Sequence, residues 1–558
     1  NPNTRLSGDA WATMLLGVLD NNTNIATVPL QRPRVSYYGV YVHDDWKITQ
    51  RLTLNIGLRY EYESPMTDPQ DRLSRYLDLT TPIPEFQGAG APVIPADVLA
   101  LRKTPIQWNG AWVFTDSKNR NSWNAPKNLF LPRFGLAYRV DNKTALRFGY
   151  ARYVVPGSLT DGLDILGSVF YPGYDATTTA IAPINGIPQQ RLSNPFPGGL
   201  VPAAGKQFGT YTNLGGAASW YYQNFRVGTN DRINFTLERQ LPWNFVGNIT
   251  YFTNIGSNHP YSRDGGNYFV DVNTLDPRYG YELKTAITRS VPNPFRNILP
   301  ADKMPGQLRT QANVAVSDLL KPFPQYGQLR QALTPGADSR YHALQLQFQR
   351  PFTNGFSLVF GYNYNRGSVE QIYDELDLFL QNLSWQPNPD PRHRFTGASI
   401  YQLPFGKGRQ FLNNVHPVAD AVLGGWALSG IYTYNTGELL RFDGLLQTGD
   451  PVIDNPTQSR MFDTTVFKVL PGFTRRENPL YPGVRGPGFN NLDLTLAKQF
   501  KLTESLGFEL RMEAYNALNN FNGANPITNF SSGQFGAITA QRAGYFGRQF
   551  QYSGRLRW

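Results

Sequence analysis

Three observations predict one fold class. Runs of about ten residues alternate apolar with polar, short connections alternate with long ones, and no apolar run is long enough for a membrane helix. The class is all-β: a transmembrane, antiparallel up-and-down β-barrel with short periplasmic turns and long extracellular loops. Period-two alternation is the primary sign, because successive strand side chains point to opposite faces and one face then becomes apolar. A spanning helix needs roughly 18 consecutive apolar residues, and the longest apolar stretch, Met14 to Leu19 with its glycine, falls far short. Composition agrees. The 558 residues are 41% hydrophobic and 14% aromatic but only 17% charged, against roughly 25% charge in an average soluble protein. Gly 52 and Pro 42 argue against a helical bundle, and Phe 35, Tyr 31 and Trp 10 argue against disorder.

The elements follow in chain order, about 13 strands on this template. Ranges 36–48 and 51–64 open the series. In the second, Leu52, Leu54, Ile56, Leu58, Tyr60 and Tyr62 alternate with Thr53, Asn55, Gly57, Arg59, Glu61 and Glu63. Ranges 130–140 and 143–154 come next, the latter setting Leu146, Phe148 and Tyr150 against Arg147 and Gly149. After 231–240 and 244–254, range 339–350 sets Leu344, Leu346 and Phe348 against Gln345, Gln347 and Gln349. Range 356–366 sets Phe356, Leu358, Phe360, Tyr362 and Tyr364 against Ser357, Gly361, Asn363 and Asn365. Ranges 394–403, 422–435 and 488–500 precede 506–516, where Leu506, Phe508, Leu510 and Met512 alternate with Gly507, Glu509, Arg511 and Glu513. The last, 545–558, carries Phe550, Tyr552, Leu556 and Trp558 on one face and Gln549, Gln551, Ser553, Arg555 and Arg557 on the other.

A soluble β-sandwich also alternates, but its strands usually run about five or six residues. Its loops are rarely long either. Here tight turns at 48–52, 140–144, 240–244, 350–356 and 500–506 alternate with irregular segments at 65–128, 156–230, 256–338, 367–391, 436–484 and 518–543. Only 404–420 is long on the short-turn side. With the short turns in the periplasm, every odd strand runs inward, and the C-terminus lands in the periplasm. Trp46, Trp243, Trp426 and Trp558 then fall at or near the periplasmic ends, as an interfacial girdle requires.

The net charge of +11 comes from singly scattered basic residues, which does not fit nucleic acid. The expected partner is outer-membrane lipid. Without cysteine there is no disulfide scaffold or thiol nucleophile. Asn1 opens no signal peptide, so that segment was removed or the chain begins partway through a longer product. His43, His259, His342, His393 and His416 fall in separate elements, with no second ligand at helical metal spacing. Gly406-Lys407-Gly408 lacks the spacing of a phosphate loop and reads as a turn. Asp374, Glu375 and Asp377 suit either calcium or a solvated loop. Asp44 and Asp45 adjoin along a strand and cannot face one side, and no Ser-His-Asp arrangement can be placed. The expectation is no enzyme, no cofactor and no metal site. Arg59, Glu61, Arg147, Glu509, Arg511 and Glu513 should face the lumen, because charge on the lipid face costs about 2–4 kcal/mol at midplane. They serve either substrate passage or cross-strand pairing.

Several stretches together resemble one family, the Oar-like TonB-dependent outer-membrane receptors of Acidobacteria-type genomes. They are Tyr38-Gly-Val-Tyr-Val-His-Asp-Asp-Trp46, Leu52-Thr-Leu-Asn-Ile-Gly-Leu-Arg-Tyr60, Pro132-Arg-Phe-Gly-Leu-Ala-Tyr138 and Tyr341-His-Ala-Leu-Gln-Leu346. Arg392-His-Arg-Phe395, Leu403-Pro-Phe-Gly-Lys-Gly-Arg409 and Gly425-Trp-Ala-Leu-Ser-Gly430 follow. Arg485-Gly-Pro-Gly488, Asn491-Leu-Asp493 and Arg511-Met-Glu-Ala-Tyr-Asn516 complete the order. The aromatic C-terminus resembles the barrel-assembly signal, although Ser553 stands where the family has glycine.

The resemblance implies a barrel of about 22 strands, of which residues 1–558 would be the C-terminal part. The plug, the N-terminal module, the first strands and the segments that contact the TonB complex would lie upstream. The other possibility is closure as a smaller barrel with an even strand number. The implied function is uptake of a scarce nutrient such as a glycan, a siderophore or another oligomer. Loop aromatics Trp108, Trp112, Trp123, Trp220, Tyr221 and Tyr222 would stack on sugar rings or simply pack the loops. A surface adhesin or structural barrel is the alternative, and a soluble β-rich enzyme the third reading.

Overall fold

A computed structural model describes residues 14–19, 23–27, 31–155, 172–174, 176–181, 184, 187–261, 269–371, 383–475, 480–501, 503 and 506–558. Thirteen long strands pair in strict chain order into one antiparallel sheet. They are β1 Tyr37–Lys47, β2 Leu52–Glu63, β3 Leu129–Arg139, β4 Thr144–Val155 and β5 Gly228–Leu241. Next come β6 Phe245–Pro260, β7 Pro335–Thr353, β8 Phe356–Gln371 and β9 His393–Gln402. β10 Trp426–Asn435, β11 Phe489–Lys501, β12 Gly507–Tyr515 and β13 Gln549–Arg557 complete the path. A short strand, Ser384–Pro387, pairs with the outer end of β8 beside this path.

Register decides which side chains share a face. Leu54, Leu136, Phe148, Phe235, Tyr251, Leu344 and Tyr364 are successive partners across β2 to β8. One residue along, Thr53, Ala137, Arg147, Thr236, Thr250, Gln345, Asn363, Arg394 and Asn435 form the parallel row on the opposite face. The apolar row stays outside. Val42 is 69% exposed and Phe235 47%, and neither belongs to a buried core cluster. A soluble sheet would bury this face under a second layer. Lipid takes that place here, so the polar row is left facing the lumen.

Several strands outrun their expected limits. β6 continues through an irregularity at Gly256 and His259 to Pro260, and β7 starts at Pro335. Pairing therefore continues past the apolar band. The expected strand 422–435 is shortened because Pro417–Leu423 is a helix, with Pro417 in its first turn and the His416 imidazole accepting the Val418 N–H. Gly425, at φ +74°, then turns the chain into β10. The expected strand 545–558 begins late, since Gly544 at φ +82° and a Tyr545-to-Arg542 hydrogen bond hold its start in a turn. The β7–β8 turn is Asn354-Gly355, both left-handed, as the two-residue hairpin requires. Trp46 and Trp243 lie exposed at the short-turn end. Among the described residues β1 pairs only with β2, and β13 only with β12, leaving two free sheet edges.

The cores lie in the loops. Residues of segments 64–128, 156–227 and 261–334 build one cluster around Phe86, Phe295, Leu214, Leu319 and Leu329, all essentially inaccessible. A second cluster, with Met66, Leu73, Trp123, Tyr221 and Phe225, packs against Val35, Leu129 and Val154 near the strand ends. Phe442, Phe462 and Phe467 pack with Phe530 and Phe535 to form a separate core from segments 436–488 and 516–548. Such cores bury the apolar side chains of the described loop residues while their backbone groups find partners.

Candidate functional site

The lumen wall and the loop cores above it are the candidate surface. On the wall, six predicted lumenal residues meet partners on their own face. Arg59 pairs with Glu61 two positions along β2. The Arg59 guanidinium lies across Gly39 of β1, where a Cβ would stand 2.5 Å from Nη2, so a side chain there would displace it. Arg147 reaches Glu238 across the β4–β5 pair at 3.6 Å. Arg511 bonds Glu513 at 3.0 Å, and Glu509 accepts from Arg557 at 2.6 Å. Glu61 and Glu509 are buried, which only a paired carboxylate tolerates well. A second wall feature was not singled out from the sequence: the Tyr153 ring sits between the Arg133 and Arg232 guanidiniums, at 5.4 and 4.8 Å. The period of β3 and β5 is the signal that could have put both arginines on the inner face, but cross-strand stacking depends on register.

Of the loop aromatics, Trp112 and Trp220 pack edge to face in the first loop core, with centroids 6.2 Å apart. Trp123 packs on Tyr221 at 4.9 Å, and Trp108 lies edge-on to Phe295 at 5.9 Å. Trp112, Trp123 and Trp220 are each at most 5% exposed, and Tyr222 is half-buried. Among the four tryptophans only Trp108 keeps a partly open face.

Three loops are also tied by polar contacts. The Gln325 side-chain amide donates to the Gln107 and Asn109 carbonyls at 3.0 and 2.8 Å. Glu85 receives Lys303 and the Tyr211 hydroxyl, each at 2.7 Å. Burial pushes the Glu85 carboxyl up, but Lys303 and Tyr211 outweigh it and hold it below its ordinary value of 4.5. A depressed folded-state value means this tie stabilises above the unfolded pKa and is lost as pH falls through the folded one. Lys303 is raised, so the basic limit lies above the lysine range. We expect near-ultraviolet circular dichroism of the loops to be flat through neutral pH and to fall below about pH 4.5. Glu85→Gln should abolish that acid step; an unchanged step would assign it elsewhere.

The histidines serve local structure. His342 and His393 bond the Tyr251 and Tyr362 hydroxyls at 2.8 and 2.9 Å, and His43 stands 3.5 Å from Asp45. Asp44 faces Ile56 on the apolar side while Asp45 faces Asn55 on the polar side. At Gly406-Lys407-Gly408, the Asp420 carboxylate takes the Lys407 N–H at 2.6 Å, so the turn is closed by a side chain of its own connection. Asp374, Glu375 and Asp377 lie outside the described residues. Among the described residues, no group of three or more His, Asp or Glu side chains is placed to hold a metal ion.

Over residues 1–551 the sequence matches the model of the outer membrane beta barrel domain family. The chain belongs to that family. As an outer-membrane barrel, it resides in the bacterial outer membrane, with its apolar face in lipid. No curated protein matches it. Among solved structures it is similar to the ferric-catecholate import receptor Fiu of E. coli in its closed form. That match has 11% identity and a TM-score of 0.40, covering 94% of this barrel chain and 45% of Fiu. The Pseudomonas aeruginosa ferripyoverdine receptor bound to ferripyoverdine shows 9% identity, 94% and 39% coverage, and a TM-score of 0.39. The E. coli outer membrane transporter YddB shows 9% identity, 94% and 54% coverage, and a TM-score of 0.39. This barrel chain thus spans about half the length of such proteins or less.

Proposed function

We propose that the protein is the C-terminal barrel portion of an Oar-like TonB-dependent receptor. It would bind a scarce nutrient outside the cell and import it with energy delivered through TonB. The observation that carries this reading is a barrel sheet with a polar, ion-paired inner face lying below folded extracellular loops. Among the described residues β1 and β13 each have one unpaired edge, which supports the portion reading. Unpaired backbone groups in hydrocarbon cost several kcal/mol each, and upstream strands would pair them. The plug and the TonB-contacting segment would then be supplied by the same upstream sequence.

Deleting the gene should abolish uptake of at least one compound among a panel of ferric siderophores and oligosaccharides. A strain lacking TonB should show the same defect. Unchanged uptake of every compound, with loss of surface attachment instead, would replace transport with the adhesin reading.

A further inference from the structure

We propose that the outer end of the lumen wall beneath the Phe442–Phe462–Phe467 loop core holds a binding site for a neutral, hydroxyl-rich ring, a sugar residue of an oligosaccharide. The site is an open cavity of about 330 Å³ lined by Asn491, Asp493, Tyr515, Asn516, Gly544, Tyr545, Phe546, Gly547 and Gln549. It rests on the proposed barrel, in which upstream strands would pair the β13 edge beside this cavity, but not on transport: an adhesin would use it equally.

The backbone builds it as follows. Asn491 and Asp493 alternate on the inward face of β11, and Tyr515 and Gln549 are register partners on β12 and β13. Asn516, left-handed at φ +49° and buried, fastens the floor to the loop. Its N–H donates to Asp493 Oδ1 at 2.8 Å, and its side-chain amide donates to the Asn520 and Phe546 carbonyls at 2.8 and 3.0 Å. Its amide oxygen accepts the Asn520 N–H at 2.9 Å. Gly544 supplies the turn that brings Tyr545 and Phe546 over the cavity. Tyr545 is braced edge-on against Phe489 at 4.7 Å. The rings of Tyr515, Tyr545 and Phe546 remain exposed, Phe546 at 63%.

The chemistry left over is specific. Among the described residues the Asn491 and Gln549 amides have no hydrogen-bond partner, and Asp493 has one oxygen uncommitted. The Arg548 guanidinium is turned away, donating to the Ala517 carbonyl and lying over Phe550. With no cation in the lining, an anion has nothing to neutralise it. An ammonium group would suit the carboxylate and the rings, but it would leave the amide N–H donors unused. A sugar uses everything present: its C–H face lies on an aromatic ring, and its hydroxyls donate to Asp493 and the amide oxygens while accepting from the amide nitrogens.

The test is saturation-transfer NMR on the complete gene product in lipid nanodiscs, with maltose, cellobiose, lactose and mannobiose as probes and choline and citrate as comparison arms. At least one disaccharide should show transfer to its ring C–H protons. Phe546→Ala and Tyr545→Ala should each weaken it at least fivefold, and Asp493→Asn about tenfold. The heat-modifiable gel shift of the folded barrel should be retained by all three variants. No transfer to any disaccharide, transfer indifferent to both aromatic variants, or preference for choline or citrate would overturn the assignment. Uptake assays are separate, so loss of transport with sugar binding intact would count against the receptor reading alone.

Discussion

Replacing Leu344 by arginine is expected to destabilise the inserted barrel by about 2–4 kcal/mol, the cost of a cation on the lipid face at midplane. Leu344 stands midway along β7 between Tyr251 and Tyr364, on the exposed apolar face. Gln345→Arg, one residue further, should cost under about 1 kcal/mol, because that side chain meets Thr250 and Asn363 on the wet inner face. Denaturant unfolding from lipid vesicles gives both values. Equal costs at the two positions, or a larger cost at Gln345, would mean that the faces are reversed and that the sheet is not in lipid.

Phe295→Ala should remove about 3–5 kcal/mol from the first loop core, the usual cost of truncating a fully buried phenylalanine. The ring is inaccessible and lies 6.2 Å from Phe86 and 5.9 Å from Trp108. It joins segments that belong to two different loops, while the β-ladders lie below it and do not share its contacts. The expected result is rapid protease cleavage within 64–128, 156–227 and 261–334, with an unchanged unfolding midpoint for the strands. A barrel that unfolds along with the loops would show that the two are one cooperative unit. Phe442→Ala should act alike on its own core only, since its packing partners Phe462, Phe467 and Phe535 all come from segments 436–488 and 516–548.

Strand position was legible wherever alternation was unbroken. All thirteen expected strands are present, and Leu52 to Tyr62 and Leu344 to Phe348 lie on the face that the period assigns them. The limits of strands were less legible. The helix Pro417–Leu423 carries apolar residues adjoining a strand, and only the His416 cap and Gly425 separate the two. The loops were legible only as loops. Their aromatics carry no period, because a compact core of irregular backbone imposes none, so Trp108, Trp112, Trp123 and Trp220 looked alike in sequence. Folding distinguishes them by which partner each meets.

By itself the sequence determined that this chain crosses a membrane with strands, in what order, and which residue of each pair faces lipid. Those properties follow from a two-residue period and from turn length, both local to the chain. Tertiary structure alone decided that three loops share one core around Phe86 and Phe295. It also decided that Arg133 and Arg232 clasp Tyr153, and that Asp493 and Phe546 line one cavity. Each joins residues of different elements, and their meeting depends on register and loop packing, which no local pattern encodes.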